Sequence, residues 1–472
     1  MDRSHLRLAT LAGLASALVL VALTAPAAAA PSNADWPTIS FDIQRTGANT
    51  SETTIGSDNA SRLHQKWSFT TDGVIDTSPV VASDVQVGEG KRQIVYVGSE
   101  HGIFYALDAA TGSLLWKRNL GSIHTLCEDL PGGIFGITSA PVIDRSSSRI
   151  FVGGGDGGVH ALDLATGAPS PGWPVPVLSD PNQEHIWSGL TLFQGRLYAE
   201  TASYCDFTPY HGHIVEIDVA SARVVASFYP VGRKDDGGGI WGWGGASIDP
   251  ANGNAYISTG NDLSNPQGFR YAEDVVRLAP SLDVISHHGP ELIGADVDFG
   301  STPMLFQRPG CTPQLAVENK SGVLFVYNRD SLSSGPVQRL QIADVNDNEF
   351  LGSPAWSAAT KMMYVSNSSD SSSGSYRHGM VALREGADCR LALAWQKTVG
   401  PDPSVVSVPV LANGVVYYGD GTGGQVLAFD ATTGNALWSS PQFAGPIFAE
   451  PIVVNGHVYA GAWDQELHAF GL

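Results

Sequence analysis

The most informative stretch of this chain is Ala106-Leu107-Asp108-Ala109-Ala110-Thr111-Gly112-Ser113-Leu114-Leu115-Trp116, because its spacing returns far downstream. The second copy, Ala-Phe-Asp-Ala-Thr-Thr-Gly-Asn-Ala-Leu-Trp, runs from Ala428 to Trp438. In each copy the Asp can accept hydrogen bonds from turn amides, the Gly supplies a left-handed residue, and the Trp is a large apolar anchor. The pattern predicts a tight hairpin with an anchoring side chain, and its recurrence predicts a repeat protein.

The rest of the chain divides into eight units of the same kind, each with short apolar strands separated by Gly-rich turns. The first strands of these units start at Ser78, Ala140, Gly189, Gly245, Thr302, Ser353, Val408 and Glu450. The eighth unit has only three strands before Leu472, whereas the stretch from Leu63 to Phe69 has the pattern of a Trp-bearing fourth strand. We therefore predict an all-β, eight-bladed β-propeller of four-stranded antiparallel blades over residues 62–472, closed by an N-terminal strand that completes the last blade.

The N-terminus has the pattern of a secretory signal. Residues 1–30 combine a short basic start, an apolar stretch from Leu11 to Leu23, and an Ala-rich end that predicts cleavage around residues 27–30. No Cys precedes Cys127, so we expect no lipid anchor, and no later run has the length and apolarity of a membrane span. The sequence predicts a secreted, extracellular protein with an N-terminal extension over residues 31–61.

The charge and the cysteines exclude some functions. A formal charge of −20, with only 26 Lys and Arg, leaves no basic surface for a phosphate backbone, so we expect no nucleic-acid partner. Four cysteines without C-x-x-C spacing favour two disulfides over a metal site in an exported chain. Pairing of the first two and of the last two would each join neighbouring units, although spacing alone leaves the pairing open: Cys127, Cys205, Cys311 and Cys389.

Chemistry is expected on the face opposite the Thr-Gly turns, where loops enter first strands and leave second strands. Units three to five place unusual residues in these loops: Asp206, Trp241, Trp243, Asn261, Asp296, Asp298, Asn319 and Lys320. A flat aromatic ring, amide and carboxylate oxygens and one ammonium group would suit a planar anionic cofactor held beside a hard cation.

The segment Trp241-Gly242-Trp243, followed by Thr259-Gly260-Asn261, resembles the pyrroloquinoline quinone dehydrogenases and their shorter exported relatives of the polyvinyl-alcohol dehydrogenase type. The resemblance implies that Trp243, with Trp241 beside it, forms the floor beneath the quinone, and that Asn261 binds the metal ion. Asp206 stands one position away from the family's glutamate ligand and is the second expected metal ligand. The adjacent-cysteine disulfide of many family members is missing.

Two further segments carry the resemblance. Asp296-Val297-Asp298-Phe299-Gly300 is similar to the family segment that contains the catalytic base, which implies that role for Asp298, with Asp296 as second choice. Asn319-Lys320-Ser321-Gly322 resembles the turn that contacts the quinone, which implies cofactor binding by Lys320 and Asn319.

The implied function is oxidation of an alcohol group, in a small or polymeric substrate, by a monomeric enzyme that uses pyrroloquinoline quinone and Ca²⁺ and passes electrons to a separate acceptor. The alternative is a non-catalytic extracellular propeller that binds proteins or polymers, as envelope-assembly propellers with this repeat do.

Overall fold

A computed structural model of the chain describes residues 34–472 apart from 179, 181, 266–269, 291–295, 345–352 and 404–406. The expected signal segment and its cleavage region lie outside the described residues. The described strands form eight main sheets of four strands each, with neighbouring strands antiparallel and two of the sheets extended by a short extra strand. The predicted all-β, eight-bladed propeller is therefore confirmed.

The strands of each blade follow one another in the chain, and blade 8 alone takes its fourth strand from the N-terminal side. From first to fourth, the strands of blades 1 to 4 are Val80–Val87, Gly90–Gly98, Ile103–Asp108, Leu114–Asn119; Val142–Asp144, Arg149–Gly153, Gly158–Asp163, Val175–Pro176; Thr191–Phe193, Arg196–Ala202, Ile214–Asp218, Arg223–Phe228; Ser247–Ile248, Ala255–Ser258, Val275–Leu278, Val284–His288. Those of blades 5 to 8 are Met304–Phe306, Gln314–Glu318, Val323–Asn328, Gln338–Gln341; Ala355–Ser357, Met362–Asn367, Gly379–Glu385, Leu391–Lys397; Val410–Ala412, Val415–Asp420, Gln425–Asp430, Ala436–Ser439; Ile452–Val454, His457–Gly461, Glu466–Gly471, His64–Thr70. The remaining elements are the short strands Ala48–Asn49, Ile123–His124, Ile134–Phe135 and His185–Ile186 and the 3-10 helices Ala60–Arg62, Pro131–Gly133, Tyr204–Asp206 and Arg329–Ser334.

The ring closes as the sequence predicts. Strand His64–Thr70 pairs antiparallel with Glu466–Gly471, with Trp67 opposite Ala469. A strand from the start of the described chain thus completes the blade formed by its end, which leaves the ring without a gap.

The repeated hairpin and its Trp join neighbouring blades at four junctions of the ring. Asp108 accepts hydrogen bonds from the backbone amides of Ala110 and Thr111, which fixes the turn. Trp116 at the end of this hairpin donates from Nε1 to the Leu164 carbonyl of blade 2 at 3.1 Å. The same contact recurs for Trp67 with Ala109, Trp395 with Ala431 and Trp438 with Leu63. The predicted anchoring role of these Trp side chains is therefore confirmed.

The inner strands are buried on both faces because each blade packs between two neighbours. In blade 1, the residues from Ile94 to Val97 are all fully buried. Strands covered on both sides have continuous apolar runs instead of an apolar and polar alternation. This explains the apolar runs in the second strands of the repeat.

An N-terminal segment, residues 36–49, lies against the inner strands of all eight blades. Arg45 at its centre is fully buried and donates to Thr38 Oγ1 and the Ile39 carbonyl, both at 2.9 Å. The contacts with blades 1 to 8 are Trp36 with Val81, Pro37 with Ile143, Thr38 with Leu190, Ile43 with Ile248, Gln44 with Leu305, Thr46 with Trp356, Gly47 with Leu411 and Ser40 with Glu450. This part of the expected extension is thus integrated into the ring.

The four cysteines form two disulfides, Cys127–Cys205 and Cys311–Cys389. The first ties the loop between blades 1 and 2 to blade 3, on the face that carries the unusual residues. The second joins blades 5 and 6 on the opposite face. Within the described ranges, no helix has the length and apolarity needed to cross a membrane.

Candidate functional site

A cavity of about 330 Å³ opens among the loops of blades 3 to 5. We call it the acidic cavity, because four carboxylates and one ammonium group line it. Its lining includes Asp206, Tyr210, Trp241, Asp296, Asp298 and Lys320. The structure thus brings together five of the eight residues expected at the site.

Lys320 lies at the centre of this group. Its Nζ is 2.9 Å from Asp296 Oδ1 and 3.0 Å from Asp298 Oδ1, and 4.8 Å from the centre of the Trp241 ring. Burial lowers the pKa of Lys320, but the two carboxylates outweigh burial and leave its pKa above the ordinary value. Lys320 therefore stays charged and balances two negative groups.

Asp298 is buried at the floor of the acidic cavity, with 3% of its surface exposed. Its Oδ2 accepts a hydrogen bond from Trp241 Nε1 at 2.9 Å, and its Oδ1 lies 3.0 Å from Lys320 Nζ in an ion pair. Burial raises the pKa of Asp298, and Lys320 offsets only part of that effect. A buried carboxylate with a raised pKa at a cavity wall is suited to take a proton.

Gly260 keeps space beside this carboxylate. A Cβ atom at position 260 would lie 2.9 Å from Asp298 Oδ2. Any side chain there would displace Asp298, so the Thr-Gly-Asn segment of blade 4 has a steric role at the site as well as supplying Asn261.

Asn261 and Asp296 form the outer part of the group. Asn261 Nδ2 donates to Asp296 Oδ1 at 2.8 Å. Burial raises the pKa of Asp296, but the hydrogen bonds from Asn261 and Lys320 outweigh burial, so its pKa lies below the ordinary value. Both residues also line an adjoining cavity of about 360 Å³ together with Asp206. Amide and carboxylate oxygens around one space are the ligands that Ca²⁺ prefers.

Asp206 follows Cys205 in a short 3-10 turn after the second strand of blade 3. Tyr210 donates its hydroxyl to Asp206 Oδ1 at 2.7 Å. Burial, followed by the charge of Asp206, raises the pKa of Tyr210 well above its ordinary value, so the hydroxyl stays a neutral donor. In the described residues, four groups bring three His, Cys or carboxylate ligand atoms within 4.8 Å of one another, and none of them contains Asp206, Asp296 or Asp298. Asp206, Asp296 and Asp298 therefore do not form a closed ligand set by themselves.

Trp243 lines a second cavity, of about 210 Å³, which we call the aromatic cavity. Its walls include Trp187, Trp243, Trp463, Phe448 and Tyr204. The acidic and aromatic cavities share Trp187, Tyr204 and Asp129 in their walls, so they adjoin each other. The two Trp residues of the Trp-Gly-Trp segment are thus divided between two cavities, with Trp241 beside Asp298.

Two carboxylates, Asp76 and Asp129, line the aromatic cavity, and Asp76 is close to one of its Trp rings. It accepts a hydrogen bond from Trp463 Nε1 at 2.5 Å. Burial raises the pKa of Asp76 to about 7. A cation is absent from the residues that line this cavity, all of which belong to the described part of the chain.

Asn319 lines neither cavity in the described structure. It is fully buried and donates from Nδ2 to the Val297 carbonyl at 3.0 Å. This bond fixes the loop that carries Asp296 and Asp298. Asn319 is placed to support the site from behind.

Sequence reasoning missed several wall residues. Trp187 stands before the first strand of blade 3 at the position that Trp243 occupies in blade 4, so an alignment of the units would have found it. Tyr204 and Tyr210 lie in an irregular loop, and Asp129 belongs to an insertion between blades 1 and 2. These three have no counterpart in the repeat, so the repeat gives no signal for them.

Eight blades, several of them joined by Trp contacts with the next hairpin, and a polar cavity on the face of the loops entering first strands define the class of quinoprotein-like propellers. The chain belongs to the family whose model is described as outer membrane protein assembly factor BamB, which matches residues 21–225 and 390–471.

Two curated relatives are dehydrogenases. The chain is 24% identical over 439 residues to polyvinylalcohol dehydrogenase of a Pseudomonas species, covering 82% of this chain and 64% of that protein. It is also 24% identical over 337 residues to quinohemoprotein alcohol dehydrogenase of Comamonas testosteroni, covering 62% and 45% respectively. The chain thus spans less than two thirds of the length of these relatives.

Solved structures with the same fold include both kinds of protein. A quinohemoprotein alcohol dehydrogenase of Pseudomonas putida HK5 superposes with a TM-score of 0.69 at 16% identity, covering 94% of this chain and 80% of that one. BamB of Moraxella catarrhalis superposes with a TM-score of 0.56 at 16% identity, covering 87% and 100%. At these identities the likeness concerns the fold alone.

Proposed function

We propose that this chain is a quinone-dependent oxidoreductase that oxidises an alcohol group. The observation that carries the proposal is the buried Asp298, in contact with Lys320 and Trp241, beside a cavity walled by aromatic rings. It combines a proton acceptor, a fixed positive charge and stacking surfaces. The similarity to two alcohol dehydrogenases supports the same conclusion.

The residues present fit pyrroloquinoline quinone together with a cation. The aromatic cavity offers flat rings for a planar molecule, with Trp243 in its wall, and Lys320 in the adjoining cavity can pair with quinone oxygens. Carboxylates outnumber cations around both cavities, and Lys320 is already paired with Asp296 and Asp298. A negatively charged cofactor would therefore need a divalent cation, which Asn261, Asp206 and Asp296 would hold and which we propose to be Ca²⁺.

The quinone and the residues of the acidic cavity have separate roles in the proposed reaction. When bound, the quinone supplies a two-electron acceptor. Asp298 takes the proton of the substrate hydroxyl at Oδ1, the oxygen that faces Lys320. Trp241 holds Oδ2 in place, and Lys320 stabilises negative charge close to the reacting atoms. Burial of Asp298 excludes water from the proton acceptor.

We also propose where the protein acts and which molecules take part in the reaction. We place the protein outside the cell as a monomer, with electrons passed to a separate acceptor. A small or polymeric alcohol is the substrate, and the similarity to a polyvinylalcohol dehydrogenase supports the polymeric choice.

A titration of the purified protein with pyrroloquinoline quinone, followed by absorbance, tests the proposal. We expect saturable binding with Ca²⁺ present, much weaker binding after chelation, and reduction of an artificial dye with at least one alcohol of a panel. Absence of saturable quinone binding in the presence of Ca²⁺ would overturn the enzyme proposal.

The second candidate is a non-catalytic propeller that binds another macromolecule. The BamB family match favours it. The same titration separates the candidates, because this one requires no quinone binding.

A further inference from the structure

We propose that the Cys127–Cys205 disulfide is a positioning device for the cation ligand Asp206, and that it sets the affinity of the site for the cation. The inference rests on the proposed function, in which Asp206 contacts the cation. It concerns a covalent bond 78 residues in span whose second cysteine lies in the wall of the acidic cavity.

The backbone at the disulfide has an unfavourable conformation. Cys205 has a φ of 54° and Asp206 a φ of 48°. Two consecutive residues other than Gly are thus left-handed, a region that L-amino acids avoid because Cβ crowds the following carbonyl. This turn directs the Asp206 side chain into the acidic cavity, where Tyr210 binds one of its oxygens. Something must hold the turn in this conformation.

The partner of Cys205 supplies a rigid anchor. Cys127 belongs to the insertion between blades 1 and 2, and it is buried in a small core with Leu130, Phe135 and Tyr204. The ring centres of Phe135 and Tyr204 are 3.8 Å apart. The anchor is therefore packed against the residue that precedes Cys205. Without the disulfide, the turn is free to relax to a right-handed conformation and to withdraw Asp206 from the other oxygen ligands.

The second disulfide provides a matched control. Cys311 and Cys389 are also 78 residues apart, and Cys389 is also left-handed, with a φ of 61°. Loops of equal length lose similar chain entropy when they are closed. The two disulfides therefore contribute comparably to stability, while only Cys127–Cys205 lies at the site.

The experiment measures Ca²⁺ binding by calorimetry, without quinone, in the full chain. We expect C127S/C205S to bind Ca²⁺ roughly tenfold more weakly than the wild type, as the cost of holding one left-handed residue implies. C311S/C389S should bind Ca²⁺ like the wild type, although urea unfolding should show that both variants are destabilised. Asp206→Asn should weaken binding at least as much as C127S/C205S.

A rescue variant separates positioning from general stability. Gly adopts positive φ without strain, so C127S/C205G should recover much of the Ca²⁺ affinity while its unfolding midpoint stays low. Equal Ca²⁺ affinity of C127S/C205S and the wild type would overturn the inference but leave the proposed function intact. No Ca²⁺ binding by the wild type, or none lost in Asp206→Asn, would overturn the cation site itself and the inference with it.

Discussion

Lys320 determines the electrostatics of the site, because it is the single cation among the described residues that line the acidic cavity. Two carboxylates lie within 3.0 Å of its Nζ. The pKa values of these carboxylates move in opposite directions: that of Asp298 is raised by burial, and that of Asp296 is lowered because hydrogen bonds outweigh burial. Lys320 lowers the pKa of both residues, so burial of Asp298 and the Asn261 hydrogen bond to Asp296 make one a proton acceptor and the other a permanent anion.

Replacing Lys320 by Met should shift the pH dependence of the proposed reaction. Lys320 lowers the pKa of Asp298, so its loss raises that pKa further, and a larger share of Asp298 is protonated at a given pH. We expect the acidic limb of the kcat/KM profile to move to higher pH, whereas Lys320→Arg should retain most of the wild-type profile. An unchanged limb in Lys320→Met would contradict the assignment of Asp298 as base.

Asp298→Asn should abolish alcohol turnover and preserve quinone binding. The amide has the same shape but cannot accept the hydroxyl proton, so we expect a loss of about 10²-fold to 10⁴-fold in kcat. Asp283→Asn is the matched control, because Asp283 is exposed in a turn on the opposite face. Turnover that survives in Asp298→Asn would move the base to another residue.

Most of the residue group was predictable from short motifs next to strands that the repeat identifies. Asn261 and Lys320 follow second strands, and Asp296 and Asp298 lie in the loop that enters the first strand of blade 5. The division of Trp241 and Trp243 between two cavities was not predictable. Both precede a first strand in an irregular Gly-rich loop, where side chains do not alternate with a period of two. Their directions depend on packing partners from blades 5 and 8, Gly300 and Phe448.

At the scale of elements, the contact between a Trp and the Gly of the next hairpin joins the blades. In blade 7, Gly434 has a φ of 70°, and a Cβ atom there would lie 2.6 Å from the Trp395 ring. Gly414 in the same blade has a φ of 79° with open space around it. A comparison of substitutions at Gly434 and Gly414 therefore separates the free-energy cost of a left-handed backbone from that of a steric clash.

Gly434→Ala should therefore destabilise the protein more than Gly414→Ala. Both variants place Ala at positive φ, at a cost of about 1–2 kcal/mol. Gly434→Ala adds overpacking against Trp395, at a further cost of about 1–3 kcal/mol. Urea unfolding should show a larger fall in midpoint for Gly434→Ala, and equal midpoints would contradict a docking role for the contact.

The repeat made the blades predictable, since the spacing of Pro-containing strands and Thr-Gly turns defines which strand is which. Elements outside the repeat escaped prediction. The hairpin of Ile123–His124 and Ile134–Phe135 lies in an insertion, and the course of residues 36–49 depends on contacts with strands from every blade. Such long-range contacts leave no local pattern in a sequence.

At the scale of the whole molecule, buried acids make stability depend on pH. Burial raises the pKa values of Glu200 and Glu450 from 4.5 to about 8. Between pH 4.5 and about pH 8, these two glutamates release protons in the unfolded chain and retain them in the folded chain, so the free energy of unfolding decreases as pH rises. The stability that Glu200 and Glu450 contribute is fully present below pH 4.5 and is lost as the pH rises to about 8 and above.

We therefore expect a higher melting temperature at pH 5 than at pH 8. Glu450→Gln should reduce this difference, because the amide does not titrate, and Glu89→Gln, at an exposed position, should leave it unchanged. Scanning calorimetry across this pH range measures the effect. A melting temperature that rises from pH 5 to pH 8 would contradict the burial of these acids in their protonated form.

The contacts of residues 36–49 also constrain the order of assembly. Trp36 can meet Val81 early in synthesis, but Ser40 must wait for Glu450, and Asn49 for Val453. The first part of the ring to be translated thus completes its contacts last, after the eighth blade exists. The inner strands therefore lack the complete cover of residues 36–49 until synthesis ends. Contacts between residues so distant in sequence also slow folding. The propeller is a structure that a growing chain cannot finish piece by piece.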